Sequence, residues 1–238
     1  VWWFSVRPAQ LMQQAADRIV AGLASGELAA TDVAEPAAVD LAAVYSGMGA
    51  LRPTVTRTTE LSPRERSDRF AEFVTLTDQL LREGTSCHHT GRYYTAHDAR
   101  TVPGCVQQPR VPFAIAATGP RGMLLAARHA QIWVTNGERN YDEPVDPARG
   151  AHVVRRQIDH LEQACAAVGR DPGELQRLVL TGFHLRPGLG SPDELRDAVG
   201  HYRDAGVTDL VVHWPRPSEP FRGDVDAFER AVTAVLGR

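Results

Sequence analysis

Apolar positions along the chain follow two alternating patterns. A short continuous run gives way to a stripe spaced by three and four residues, and the alternation then repeats. The clearest case is central. Phe113 to Ala117 is a run of small apolar residues, as expected of a strand covered on both faces. Thr118-Gly119-Pro120-Arg121-Gly122 breaks it, Met123 to Ala130 has helical composition, and Gln131 to Thr135 returns to a strand. Earlier in the chain, Trp2 to Val6 reads as a short strand. Ala9 to Ala24 reads as a helix with Leu11, Ala15, Ile19 and Leu23 on one stripe. Leu41 to Tyr45 leads into Ser46-Gly47-Met48-Gly49, a second strand-to-loop step. Ser62, Pro63 and Glu65 open a helix as N-cap, N1 and N3, and Gly84 stops it. Thr85 to Pro112 reads as an irregular surface excursion. Ala148 to Val168 is a long helix closed by Gly169, Leu178 to Phe183 a strand, and Ser191 the cap of a helix ending at Gly206. Asp209 to Trp214 is the last strand and Asp224 to Leu236 the closing helix.

Strands separated by helices predict a parallel sheet and an α/β fold. The short strands suit a TIM-type (β/α) barrel, where functional residues gather at the C-terminal strand ends. Those ends are Gly47-Met48, Thr118-Gly119, Thr135-Asn136, Phe183-His184 and His213-Trp214. An open doubly wound sheet is the rival architecture. No repeat or linker divides the chain, so residues 1–238 are expected to form one domain, with 85–112 as its excursion. Gly188 to Gly190 has the look of a nucleotide fingerprint, but it follows a loop and serves a capped helix start, not a strand-to-helix turn.

Composition narrows the chemistry. The net charge of -3 with scattered cations gives no basic face for nucleic acid or a membrane surface. All 26 basic residues are arginine, which removes Schiff-base, P-loop and general-base lysines. A phosphate clamp must therefore use arginine and backbone amides. Cys87, Cys105 and Cys165 are far apart, form no CxxC pair and fit a reducing cytoplasm. Cys87-His88-His89 has no carboxylate or further cysteine at ligand-like spacing and reads as a loop pair, so no metal is expected. Glu65 and Glu72 read as solvated helix residues. No apolar run approaches the roughly 18 residues of a membrane helix. The opening Val1-Trp2-Trp3-Phe4 lacks a signal peptide's basic region and enters a strand directly, so a missing N-terminal part is expected.

A small-residue loop between a strand end and a helix start exposes N–H groups beside a positive dipole end, a ready anion site. Thr118 to Gly122 has that form. From the residues alone, a purely steric turn accounts for it slightly better.

Three segments together resemble the luciferase-like, flavin- or deazaflavin-dependent monooxygenases and reductases. They are Ser62-Pro-Arg-Glu-Arg-Ser-Asp-Arg-Phe with Gly91-Arg-Tyr-Tyr, Ile115-Ala-Ala-Thr-Gly-Pro-Arg-Gly with Leu125-Ala-Ala-Arg-His-Ala-Gln-Ile-Trp, and Ser191-Pro-Asp-Glu-Leu with Tyr202-Arg-Asp-Ala-Gly-Val-Thr-Asp-Leu-Val-Val. The match covers roughly Ser62 to Arg238. The family's first two strands have no counterpart, so the resemblance implies a TIM-type barrel incomplete at its N-terminus. It implies a bacterial, cytoplasmic oxidoreductase using FMN or the deazaflavin coenzyme F-420 on a small organic substrate, as a homodimer or higher homo-oligomer. It further implies that Ala117, Thr118, Gly119, Arg121 and Gly122 hold the cofactor phosphate and that Gly47 and Met48 approach the ring. Trp133 would wall the cavity, and His213 would donate to a flavin or substrate oxygen. Core packing for Trp133 and His213 and a tight turn for Gly47-Met48 remain open alternatives. No catalytic residue is assigned. The competing function is a truncated, non-catalytic relative acting through self-association or a protein partner.

Overall fold

The computed structural model describes residues 62–82, 86–101, 104–138, 144–182, 184–217 and 221–236. Helix α1 (Pro63–Leu81) starts as its sequence dictates. Ser62 Oγ accepts from the Glu65 amide at 3.2 Å, and the Glu65 carboxylate accepts from the Ser62 amide at 3.0 Å. This reciprocal box satisfies two of the donors that a helix start leaves over.

The excursion is more ordered than its sequence suggests. It holds an antiparallel hairpin of β1 (Cys87–Thr90) and β2 (Thr95–Ala99). The hairpin lacks apolar alternation because much of its anchoring is polar. Glu72 of α1 accepts from the amides of Tyr94 at 2.8 Å, Tyr93 at 3.1 Å and Arg92 at 3.1 Å, and pairs with His89 Nε2 at 3.2 Å. A carboxylate read as solvated is thus the hairpin's anchor. A Cβ on Gly91 would overlap that carboxylate, which is why glycine stands at the turn.

The central unit is a parallel sheet of β3 (Ala114–Ala116), β4 (Ile132–Thr135), β5 (Gln176–Leu180) and β6 (Asp209–Val211), in that spatial order. Helices α2 (Pro120–His129), α3 (Pro147–Val168) and α4 (Pro192–Asp204) connect successive strands, and α5 (Val225–Leu236) follows β6. Doubly wound sheets reverse their order at a switch point; the described strands do not. Sequential parallel order is the arrangement of a (β/α) barrel wall.

Side chains alternate across a strand, and the register puts Ile115 beside Trp133 and Val179 beside Leu210. Ile115, Trp133 and Val179 form the core with Met123 and Ala126 of α2 and Val154, Ile158 and Leu161 of α3. Ala114 and Ala116 lie on the other face and are exposed. Gly169, at φ 71°, ends α3 as its position predicts. Helix α2 begins at Pro120, three residues before its apolar stripe, because proline suits N1. The strand read as Asp209 to Trp214 ends at Val211, and Val212 to Pro215 continues as loop.

Candidate functional site

The C-terminal strand ends carry the polar chemistry. At the exit of β3, Gly119 is the N-cap of α2 in an extended conformation, and no side chain caps the helix there. A Cβ on Gly119 would meet nothing within 4 Å, so the corner is open at that point. The other described α-helices are capped differently. Ser62, Asp146 and Ser191 cap α1, α3 and α4, and Asp224 Oδ1 accepts from the Asp226 amide at the start of α5. With Pro120 lacking an N–H, the amides left over in the first turn of α2 are those of Arg121 and Gly122.

The residues around this corner differ in exposure. Ala117 is buried, Thr118 is half-buried, and Arg121 is exposed. The Arg121 guanidinium reaches α1 and donates to Asp68 at 2.9 Å. A Cβ on Gly122 would lie 3.0 Å from Ala117 Cβ, so this glycine lets the helix close onto the strand end. Trp133 is 0% exposed and belongs to the core. Its indole N–H donates to the Ala117 carbonyl at 2.9 Å.

Two further strand ends meet glycines at positive φ. Gly137 (φ 96°) lies under the side chains of His184 and Leu185, and Gly182 (φ 99°) lies under His213 and Phe221. His213 stacks on Phe221 with ring centroids 3.8 Å apart. Burial, then the Arg216 charge, holds the His213 imidazole below its ordinary pKa. Thr135 donates to Gln157 Oε1 at 2.7 Å, and Gln157 Nε2 donates to the Gly137 carbonyl at 2.9 Å, tying the β4 exit to α3. Trp214 is 41% exposed and meets Phe228 edge-on. Gly137, Gly182 and Gln157 were not singled out by the sequence; the available signal was a Thr-Asn-Gly or Thr-Gly step after each apolar run.

At the opposite, N-terminal end of the strands sits a charged clasp. Buried Arg110 pairs with Asp78 Oδ1 and donates to the carbonyls of Val111 at 2.8 Å and His129 at 2.7 Å. Its guanidinium lies 3.5 Å from the Phe113 ring centroid. Burial raises the Asp78 carboxyl, but hydrogen bonds from Arg82 and Arg110 outweigh it and leave the pKa below the ordinary carboxylate value. This end of a (β/α) unit carries stability more than chemistry. No group of three or more metal-ligating side chains occurs among the described residues. Gly47 and Met48 lie outside the described residues.

A family model described as luciferase-like monooxygenase matches residues 42–188. Among solved structures, a coenzyme F-420-dependent secondary alcohol dehydrogenase, in complex with an F-420–acetone adduct, superposes with a TM-score of 0.56 at 14% identity, over 75% of this chain and 64% of that one. The coenzyme F-420-dependent tetrahydromethanopterin reductase of Methanopyrus kandleri gives 0.53 at 16%, over 71% and 62%. A monooxygenase from Streptomyces bottropensis gives 0.55 at 16%, over 78% and 65%. The chain therefore spans a little over six tenths of the length of these structures. At such identities the likeness establishes the fold, a TIM-type barrel class to which β3–β6 and their helices contribute one wall.

Proposed function

The chain belongs to the luciferase-like monooxygenase family, and from that premise we propose that it is an oxidoreductase that receives the phosphate of FMN or coenzyme F-420 at the first turn of α2. One observation carries the reading: α2 alone among the described α-helices starts without a side-chain cap, at an open glycine. A helix start has leftover N–H groups and a positive dipole end, and both favour a phosphate. The residues present fit such a group. The amides of Arg121 and Gly122 can donate to it, and the Arg121 guanidinium needs only to leave an exposed partner, Asp68, to join them. When bound, the cofactor supplies the redox chemistry, oxygen-dependent hydroxylation with FMN or hydride exchange with the deazaflavin.

The chain's own part is to bind and orient. The first turn of α2 anchors one end of the cofactor. The rim formed by Gly137, Gly182, His184 and His213 shapes the neighbouring strand ends, where a small organic substrate would meet the ring. The test is a titration of the purified protein with FMN and with coenzyme F-420, each beside its phosphate-free counterpart. Saturable binding that prefers the phosphorylated form supports the reading. Absence of binding up to millimolar concentration rejects it and favours a non-catalytic relative, whose self-association size-exclusion chromatography would report.

A further inference from the structure

We infer that Trp133 is a positioning residue for the phosphate corner, acting through the Ala117 peptide without touching the ligand. This rests on the phosphate reading above. The Ala117 unit is held from three directions. Its N–H donates to the Val134 carbonyl at 3.2 Å, its carbonyl accepts from Trp133 Nε1 at 2.9 Å, and its side chain packs where Gly122 has none. The Trp133 ring cannot swing, because it is 0% exposed within the core.

The consequence follows from peptide geometry. A trans peptide is planar, and its C=O and N–H point in opposite directions. The indole draws the Ala117 carbonyl toward the helix-covered core, so the Thr118 N–H of the same peptide is turned away from the core. Thr118 directly precedes Gly119, the N-cap of α2, so this N–H comes just before the leftover amides of Arg121 and Gly122 along the chain. A phenyl ring in place of the indole would keep an aromatic ring in the core, with a small cavity beside it, and leave the Ala117 carbonyl without its donor. The peptide would then be free to rotate, and the Thr118 amide would lose its fixed aim.

The test is Trp133→Phe, read as the ratio of FMN to riboflavin affinity, or of coenzyme F-420 to its phosphate-free form if the deazaflavin is the one bound. The expected result is a fall in that ratio of up to about tenfold, the scale of one positioned hydrogen bond, with riboflavin affinity unchanged. A purely structural role would weaken both ligands together. Gly122→Ala is the second variant, since its methyl group presses Ala117 from the other side; it should lower the same ratio in a protein that keeps its helix. Far-UV circular dichroism decides which variant carries the test: Trp133→Phe where it is folded, Gly122→Ala where it is not. An unchanged ratio in that variant overturns the inference. A wild type that binds the cofactor without discriminating the phosphate overturns the parent reading instead.

Discussion

The Arg121 guanidinium donates to the Asp68 carboxylate at 2.9 Å, so the cation carried by the first turn of α2 is borrowed by α1. Both side chains are substantially exposed, at 56% and 39%. An exposed pair of this kind contributes at most about 1 kcal/mol. A phosphate carrying up to two charges at the helix start should therefore compete for the guanidinium successfully. Asp68→Asn should leave the melting temperature nearly unchanged and tighten binding of the phosphorylated cofactor by a few-fold. Arg121→Ala should weaken it. Isothermal titration of the two variants against wild type decides the point, and equal affinities across all three would remove Arg121 from the site.

Gly119 offers a test in which stability and binding move in opposite directions. Its extended backbone and open surroundings accept a side chain, and aspartate is a strong N-cap. Gly119→Asp should stabilise the protein by a few tenths of a kcal/mol, roughly the advantage of aspartate over glycine at this position. The same carboxylate would occupy the amides meant for phosphate and repel its charge. The expected outcome is a slightly raised melting temperature with cofactor binding lost. A variant that is both more stable and fully able to bind would place the phosphate elsewhere.

Why some features were legible and others were not has a physical explanation. Helix starts were readable because capping is local: Ser62 with Glu65, and Ser191 with Glu194, act within one turn. The core strands were readable because burial on both faces demands continuous apolar runs, although each proved shorter than its run. The β1–β2 hairpin was not readable, because its stability comes from Glu72, a helix residue roughly twenty positions away, and not from its own alternation. The loop at Thr118 to Gly122 was visible as a motif. That Trp133 serves it through the Ala117 carbonyl was not, since nothing in sequence spacing reports where an indole N–H points.

The Glu72 anchor yields a prediction about the hairpin. Burial raises the Glu72 carboxyl, but hydrogen bonds from the Tyr94 amide, His89 and the Tyr93 and Arg92 amides outweigh it and hold its pKa below 4.5. Its contribution to stability is therefore present at neutral pH and is lost as pH falls through that lowered value. Glu72→Gln keeps the shape but replaces one acceptor oxygen with a donor, and Gly91→Ala drives a methyl group into the carboxylate. Both should speed amide hydrogen exchange in residues 86–101 while leaving β3–β6 protected. Uniform acceleration through the whole domain would mean that the hairpin and sheet unfold as one unit.

The Asp78–Arg110 clasp governs behaviour in acid. Side-chain exposure is 2% for Arg110 and 11% for Asp78, so Asp78→Ala would strand a buried guanidinium, at a cost of about 3–5 kcal/mol. Titration acts in two steps. His129 lies 3.6 Å from Asp78, and burial, opposed in part by Asp78, sets its pKa below the ordinary 6.5. A base with a depressed folded pKa stabilises the fold above its unfolded value, so this contribution begins to fade as pH drops below 6.5. Asp78, also depressed, gives up its contribution only below its ordinary 3.8. Urea unfolding across pH should thus show a shallow decline in stability followed by a steep one. His129→Gln should remove the shallow phase and keep the steep one, because the Arg110 pairing with Asp78 and with the backbone carbonyl of residue 129 does not require the imidazole. If the variant instead retained both phases, another group would have to carry the first proton.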